Sequence, residues 1–245
     1  MKTIKLLLGV LLICCFSTTQ AQWWPKKIKG NGIIATEVRE LDPYETISVS
    51  GSIYVTLTSG KEGNITLEAE ENLLEYIEII NKNGKLRIRT KDQVSLRTSH
   101  GKGIKINIPV TEVSKLELNG SGDIKGTFPL KANQLKIIVN GSGDIELNVV
   151  VEKLKAAVAG SGDIDITGEA KELYASVTGS GDIDAKALKA TICNATVTGS
   201  GDISLYALEQ LISKIVGSGD IHVNKSVKMI EKKVVGSGDL NKYKP

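Results

Sequence analysis

Aromatic residues are scarce in this chain, 4% of 245 residues with only two phenylalanines. Any core must therefore be built from the aliphatic majority of the 41% hydrophobic content. Cysteine is rarer still. Of three, Cys14 and Cys15 lie in an N-terminal apolar stretch and only Cys193 lies beyond it, so the remaining chain has no intramolecular disulfide. The two histidines, His100 and His222, stand isolated, with no metal-ligand or nucleophile spacing around them. Long apolar runs are missing too: residues 6–16 are too short for the ~20 residues a membrane-spanning helix needs, and no second run follows. Charge of one sign is also lacking. Net charge is +3, and about +1 without Lys2 and Lys5, with acids and bases interspersed, which excludes an electrostatic nucleic-acid partner.

What is present begins with a secretory signal. Lys2 and Lys5 precede the apolar residues 6–16, and Thr19-Gln20-Ala21 forms a small-residue cleavage site, so residues 1–21 read as a signal peptide and the mature chain starts near Gln22. Export to the periplasm, the cell surface or the medium is expected, with no transmembrane segment in the mature chain. Cys14 follows Ile13 and Cys15 follows Cys14, which fits a lipoprotein signal poorly. Residues 22–34, with Trp23, Trp24 and three lysines but no strand pattern, read as a flexible lead segment. The tryptophan pair has a second reading, as an anchor to a surface or partner.

The dominant feature is a repeat. Gly-Ser-Gly-Asp-Ile starts at Gly120, Gly141, Gly160, Gly179, Gly199 and Gly217, and returns with Leu in last place at Gly236, at spacings of 21, 19, 19, 20, 18 and 19. Near-constant periods of this length mark a stacked architecture. Apolar residues recur at fixed offsets. Ile124, Ile145, Ile164, Ile183, Ile203, Ile221 and Leu240 follow each turn, and Val139, Val158, Val177, Val197, Ile215 and Val234 precede the next glycine. A third column holds Leu135, Leu154, Leu173, Cys193, Leu211 and Ile230. Period-two alternation on both sides of a glycine turn predicts strand, turn, strand. The fold class is therefore all-β: a parallel β-solenoid of ~19-residue rungs stacked at about 4.8 Å. Cys193 takes a leucine place and reads as a small core residue.

The seven glycines that open each motif are expected at the rung corners, supplying positive φ, and each aspartate is expected to accept a backbone N–H in an Asx-type turn. Stacking would align Asp123, Asp144, Asp163, Asp182, Asp202, Asp220 and Asp239 in one column, where neighbours about 4.8 Å apart repel by roughly 1 kcal/mol even at the dielectric of water. Backbone donors and solvent are the first offset. A calcium ladder along those seven aspartates is the alternative, although calcium-binding solenoids use shorter units. No other cofactor is expected.

Residues 35–116 lack the strict motif but alternate in several runs and are expected to form irregular early rungs or a cap. Asn83-Gly84 signals a tight hairpin, and residues 70–76 a single helical turn. Val49-Ser50-Gly51-Ser52-Ile53 and His100-Gly101-Lys102-Gly103-Ile104 read as degenerate corners. Residues 117–240 hold the repeats, and 35–240 form one domain.

Ile108-Pro109-Val110, then Leu116-Glu117-Leu118-Asn119 running into repeated Gly-Ser-Gly-Asp-Ile, resembles the putative auto-transporter adhesin, head GIN domain family over residues 35–240. That resemblance implies a signal peptide, a strand-rich N-terminal part, a β-helical body and a surface or adhesive role, and brings no catalytic residues with it. The acids repeat in every rung, whereas catalysis needs one rung that differs. The expected function is thus non-enzymatic binding to a protein, matrix or surface ligand. An envelope scaffold or sensor module is the alternative, and a polysaccharide-acting β-helix enzyme the alternative of another class.

Overall fold

The computed structural model describes residues 25–99, 101 and 103–244. The signal peptide, the tryptophan pair and His100 lie outside the described residues.

The chain begins with β1 (Lys26–Lys29), β2 (Ile34–Glu40), β3 (Thr46–Gly51), β4 (Ile53–Ser59), β5 (Asn64–Glu70) and a one-turn helix α1 (Glu71–Leu74). Then follow β6 (Ile77–Lys82), β7 (Lys85–Thr90), β8 (Val94–Arg97), β9 (Ile104–Val110) and β10 (Lys115–Gly120). The repeats give β11 (Asp123–Gly141), β12 (Ile145–Gly160), β13 (Ile164–Gly179), β14 (Ile183–Gly199), β15 (Ile203–Gly217), β16 (Ile221–Asn224), β17 (Met229–Gly236) and β18 (Leu240–Tyr243). Together they wind a parallel β-solenoid of about seven turns.

Each repeat strand bends around the coil and pairs in parallel with its neighbours in the rungs before and after. Gly141 faces Gly160, which faces Gly179, and Ile145, Ile164, Ile183, Ile203, Ile221 and Leu240 fall in one line. The three aliphatic columns point inward, and Ile164, Val177, Leu173 and Cys193 are each 0% exposed. A fourth column contains Ile137, Ala156, Ala175, Ala195 and Ser213, also buried.

The unequal repeat lengths are absorbed away from the Gly-Ser-Gly-Asp corner. Register shifts fall between Lys125 and Pro129, between Asp165 and Gly168, and between Ala185 and Ile192. Insertions therefore bulge the far side of a rung while the glycine corner stays aligned.

The N-terminal rungs are not stacked in chain order. β10 pairs with β3 in the register Gly120 to Gly51, so Val49-Ser50-Gly51-Ser52-Ile53 is an aligned corner. β7 and β9 flank that rung on its other side, pairing with β3 and β4. The rung formed by residues 46–59 thus sits between residues 85–110 and the repeats. At the far end, β6 and β7 form an antiparallel hairpin whose loop residues Asn83 and Gly84 have φ of 53° and 71°, the double positive φ of a two-residue type I′ turn. Antiparallel pairing of β2 with β5 adds to this cap.

Within the expected lead segment, the described residues Lys26–Lys29 form β1 and pair with β8 as a separate two-stranded ribbon. The sequence Lys-Lys-Ile-Lys carries too little apolar alternation to signal a strand. Its stability comes from the partner and from Glu70, which is 1% exposed and whose carboxylate accepts the N–H groups of Gly32 (2.6 Å) and Ser99 (2.8 Å). The C-terminal end is finished differently. Asn224, 0% exposed, accepts the Ala207 N–H (2.8 Å) and donates to the Ala207 carbonyl (3.0 Å), replacing the backbone partner that β15 lacks there.

Candidate functional surface

The repeated corner is built by backbone approach. The opening glycines have φ of 131° (Gly120), 132° (Gly141) and 126° (Gly179), backbone that favours glycine. The second glycines have a different reason. A Cβ at Gly181 would stand 2.1 Å from the Gly162 carbonyl oxygen, and one at Gly162 would stand 2.1 Å from that of Gly143. Space, not φ, excludes every other residue there. The serine side chains face outward while their N–H groups donate to the opening glycine one rung back, as Ser180 does to Gly160 (2.9 Å).

The aspartates do not close Asx turns within their own rungs. Each carboxylate accepts the N–H of the aspartate in the next rung: Asp144 from Asp163 (3.0 Å), Asp163 from Asp182 (2.8 Å), Asp182 from Asp202 (2.7 Å), Asp202 from Asp220 (2.6 Å) and Asp220 from Asp239 (2.7 Å). Asp123 begins the ladder with a longer bond from Asp144, 3.3 Å. Asp239 has no following rung and accepts the N–H of its own neighbour Leu240 (2.7 Å). A charged acceptor in each step stabilises the stack and offsets part of the mutual repulsion. The seven aspartates thus have a structural task that uses one oxygen of each. Among the described residues, no group of three or more His, Cys, Asp or Glu side chains is arranged to hold a metal ion.

Beside this ladder lies a second acidic column, Glu146, Asp165 and Asp184, continued by Ser204 and His222. Its signal in the sequence is the Asp-Ile-Glu and Asp-Ile-Asp that extend three of the motifs, and sequence reasoning passed over it. Partial burial, then the charges of Asp184, Asp163, Glu146 and Asp144, push the Asp165 carboxyl above the usual range. Lys186 answers Asp184 at 2.9 Å.

On the insertion-bearing side, an open groove of about 700 Å³ crosses β11 to β15. Val150 and Leu208, 41% and 42% exposed, lie in it among Glu152, Glu169, Lys171 and Lys189. Ion pairs tie successive rungs across the outer faces, Lys125 to Glu146 (2.6 Å), Lys153 to Glu172 (3.4 Å) and Lys171 to Glu152. Lys153 also lies 4.7 Å from the Tyr174 ring centre, so that aromatic is held by its neighbours and offers no open platform. Burial pushes the Cys193 thiol up to about 12, which makes it an inert packing residue.

The family described as "Putative auto-transporter adhesin, head GIN domain" matches residues 43–226. A crystal structure named as a putative adhesin from Bacteroides fragilis superposes with a TM-score of 0.81 at 23% identity, covering 88% of this chain and 100% of that one. One named as a putative lipid binding protein from Parabacteroides distasonis gives 0.71 at 28% identity, covering 89% and 100%. A putative adhesin from Parabacteroides merdae gives 0.69 at 23%, with the same coverage. No curated protein matches significantly. The family match extends across the irregular rungs and most of the Gly-Ser-Gly-Asp repeats, and on that basis the chain belongs to the head GIN domain family.

Proposed function

We propose that this protein is exported and acts without catalysis, as an adhesin that binds a protein, matrix or surface ligand along the length of its solenoid. The observation that carries this reading is the groove across β11 to β15, to which five successive strands contribute side chains, Lys131, Val150, Glu169, Lys189 and Leu208 among them. Such a surface suits extended contact more than enclosure of a small molecule. Val150 and Leu208 provide apolar area, and the flanking charges of both signs provide register and specificity. Membership of an adhesin-described family and resemblance to structures with adhesin names support the same reading. The signal-like N-terminus and the absence of a long apolar helix among the described residues are compatible with delivery to the cell surface.

Display on a non-adherent bacterium tests this directly, with retention counted on epithelial monolayers and on coated matrix proteins. Retention above the empty-vector control on at least one surface is expected, reduced by the pair Val150→Glu and Leu208→Glu. Retention equal to the control on every surface would remove the adhesin reading.

A further inference from the structure

Away from its corners the solenoid often stacks charge by pairing opposite signs from rung to rung, as Lys125 does with Glu146 and Lys153 with Glu172. One column departs from this. The registers of β6, β7, β3, β10, β11 and β12 place Lys82, Lys85, Thr46, Lys115, Lys136 and Lys155 in a single line across six adjacent strands. The last five of these each precede a buried residue, Leu86, Ile47, Leu116, Ile137 and Ala156, so their own side chains point outward. At about 4.8 Å per strand the line is roughly 24 Å long and runs along the solenoid axis. Arg87 lies on the same face, two residues after Lys85.

Among the described residues Lys82, Lys85, Arg87, Lys136 and Lys155 are in no ion pair. Strands β3 and β7 contain no acid, and the acids of β6 and β10, Glu78 and Glu117, are held at 2.7 Å by Arg89 and Lys115. Lys136 therefore faces Lys115 on one side and Lys155 on the other, a like-charge arrangement that strand pairing disfavours. The aspartate ladder relieves the same repulsion with backbone donors, and this column has no equivalent.

Part of the line is concave. A groove of about 480 Å³ opens where the short side chains of Thr46 and Ser48 on β3 lie between the longer ones of β7 and β10, and Lys82, Lys85, Arg87 and Lys115 line it. Thr46, Ser48 and Asn83 add groups able to hydrogen-bond hydroxyls. No aromatic residue lines it, so single-stranded nucleic acid finds no stacking platform. A bilayer would need a wider apolar fringe than Ile80, 37% exposed, provides. A straight row of unpaired cations beside hydroxyl-binding groups suits a linear, hydroxyl-rich polyanion. We propose that the lysine column and its groove bind a linear anionic polysaccharide lying along the solenoid axis. None of these residues lines the groove across β11 to β15, so the site does not depend on the adhesive role of that groove.

The test is titration of the chain from Gln22 with heparin, neutral dextran and oligothymidylate, followed by calorimetry at several salt concentrations. Heparin is expected to bind with an affinity that falls as salt rises, and dextran not to bind. Oligothymidylate is expected to bind at least about tenfold more weakly than heparin, for want of stacking. The triple variant Lys85→Gln, Lys136→Gln and Lys155→Gln is expected to lose roughly ten- to a hundredfold in heparin affinity, at about two- to fivefold per contact. It should melt no lower than the parent, since all three positions are exposed and unpaired. The matched triple Lys131→Gln, Lys189→Gln and Lys225→Gln removes the same charge away from the column and should lose at most about threefold. No binding of heparin, equal losses in the two triples, or oligothymidylate bound as tightly as heparin would each overturn the proposal. The pair Val150→Glu and Leu208→Glu should leave the column's contribution to heparin affinity intact, so this proposal and the adhesin reading fail separately.

Discussion

Replacement of Gly181 by alanine isolates the feature on which the stacked corner depends. Gly181 lacks the positive φ of Gly179, so backbone strain plays no part. The added methyl would sit 2.1 Å from the Gly162 carbonyl oxygen, which must retreat by more than 1 Å for ordinary contact. Both atoms belong to backbone held on each side. Four hydrogen bonds cross this step: Ser180 N–H and Gly181 N–H to Gly160, Asp182 N–H to the Asp163 carboxylate, and Ile164 N–H to Asp182. Losing them at about 1 kcal/mol each removes about 4 kcal/mol, a large part of a domain's ordinary 5–15 kcal/mol. Gly84→Ala is the control. It has positive φ (71°) but no atom nearer than 3.6 Å to the new methyl, so only conformational strain of about 1 kcal/mol is expected. Urea unfolding followed by far-ultraviolet circular dichroism measures both through the shift in midpoint. If Gly181→Ala cost no more than Gly84→Ala, close approach would not be what selects glycine at the corner.

Asp163→Ala removes the acceptor for the Asp182 N–H and should cost about 1.5–3 kcal/mol in the same assay, whereas Asp163→Asn keeps an acceptor and should lose less than half of that. Asp165→Asn should stabilise the protein near pH 7. The Asp165 carboxyl binds its proton more tightly when folded, so its penalty is absent below the unfolded-state value, grows as pH rises through the raised folded value, and is full at neutrality. The stabilisation should therefore vanish when melts are repeated in strong acid. Ile164→Asp places a charge in a column position that is 0% exposed and should abolish the cooperative transition. Because the ladder is satisfied by backbone donors, addition of calcium or of chelator should leave the melting temperature unchanged. A rise of several degrees on adding calcium would support the cation ladder along Asp123 to Asp239.

The repeats were readable because each rung states its own inward pattern. Ile164 or Val177 needs only its distance from the glycine to be placed, and Asn83-Gly84 dictates its turn locally. Features that depend on which strand finds which partner were not. The rung of residues 46–59 lies between two segments that follow it in sequence, and nothing in its residues encodes that order. β1 escaped notice because Lys26, Lys27 and Lys29 resemble a solvated tail until β8 supplies the other half of the ribbon. The aspartates were identified as corner residues, but their partner was misplaced by one rung: an Asx turn and an inter-rung bond ask for the same side chain, and only stacking distinguishes them. Asp165 and Asp184 were hidden by their outward-facing strand positions, since charges there usually carry no more than solubility.

The measurement that tests the functional account most directly is protease accessibility of the protein on intact and on permeabilised cells. Digestion on intact cells is the result this account predicts, with the solenoid facing outward where an adhesin must work. Protection until the outer barrier is opened would contradict it and leave a structural or sensing role inside the envelope.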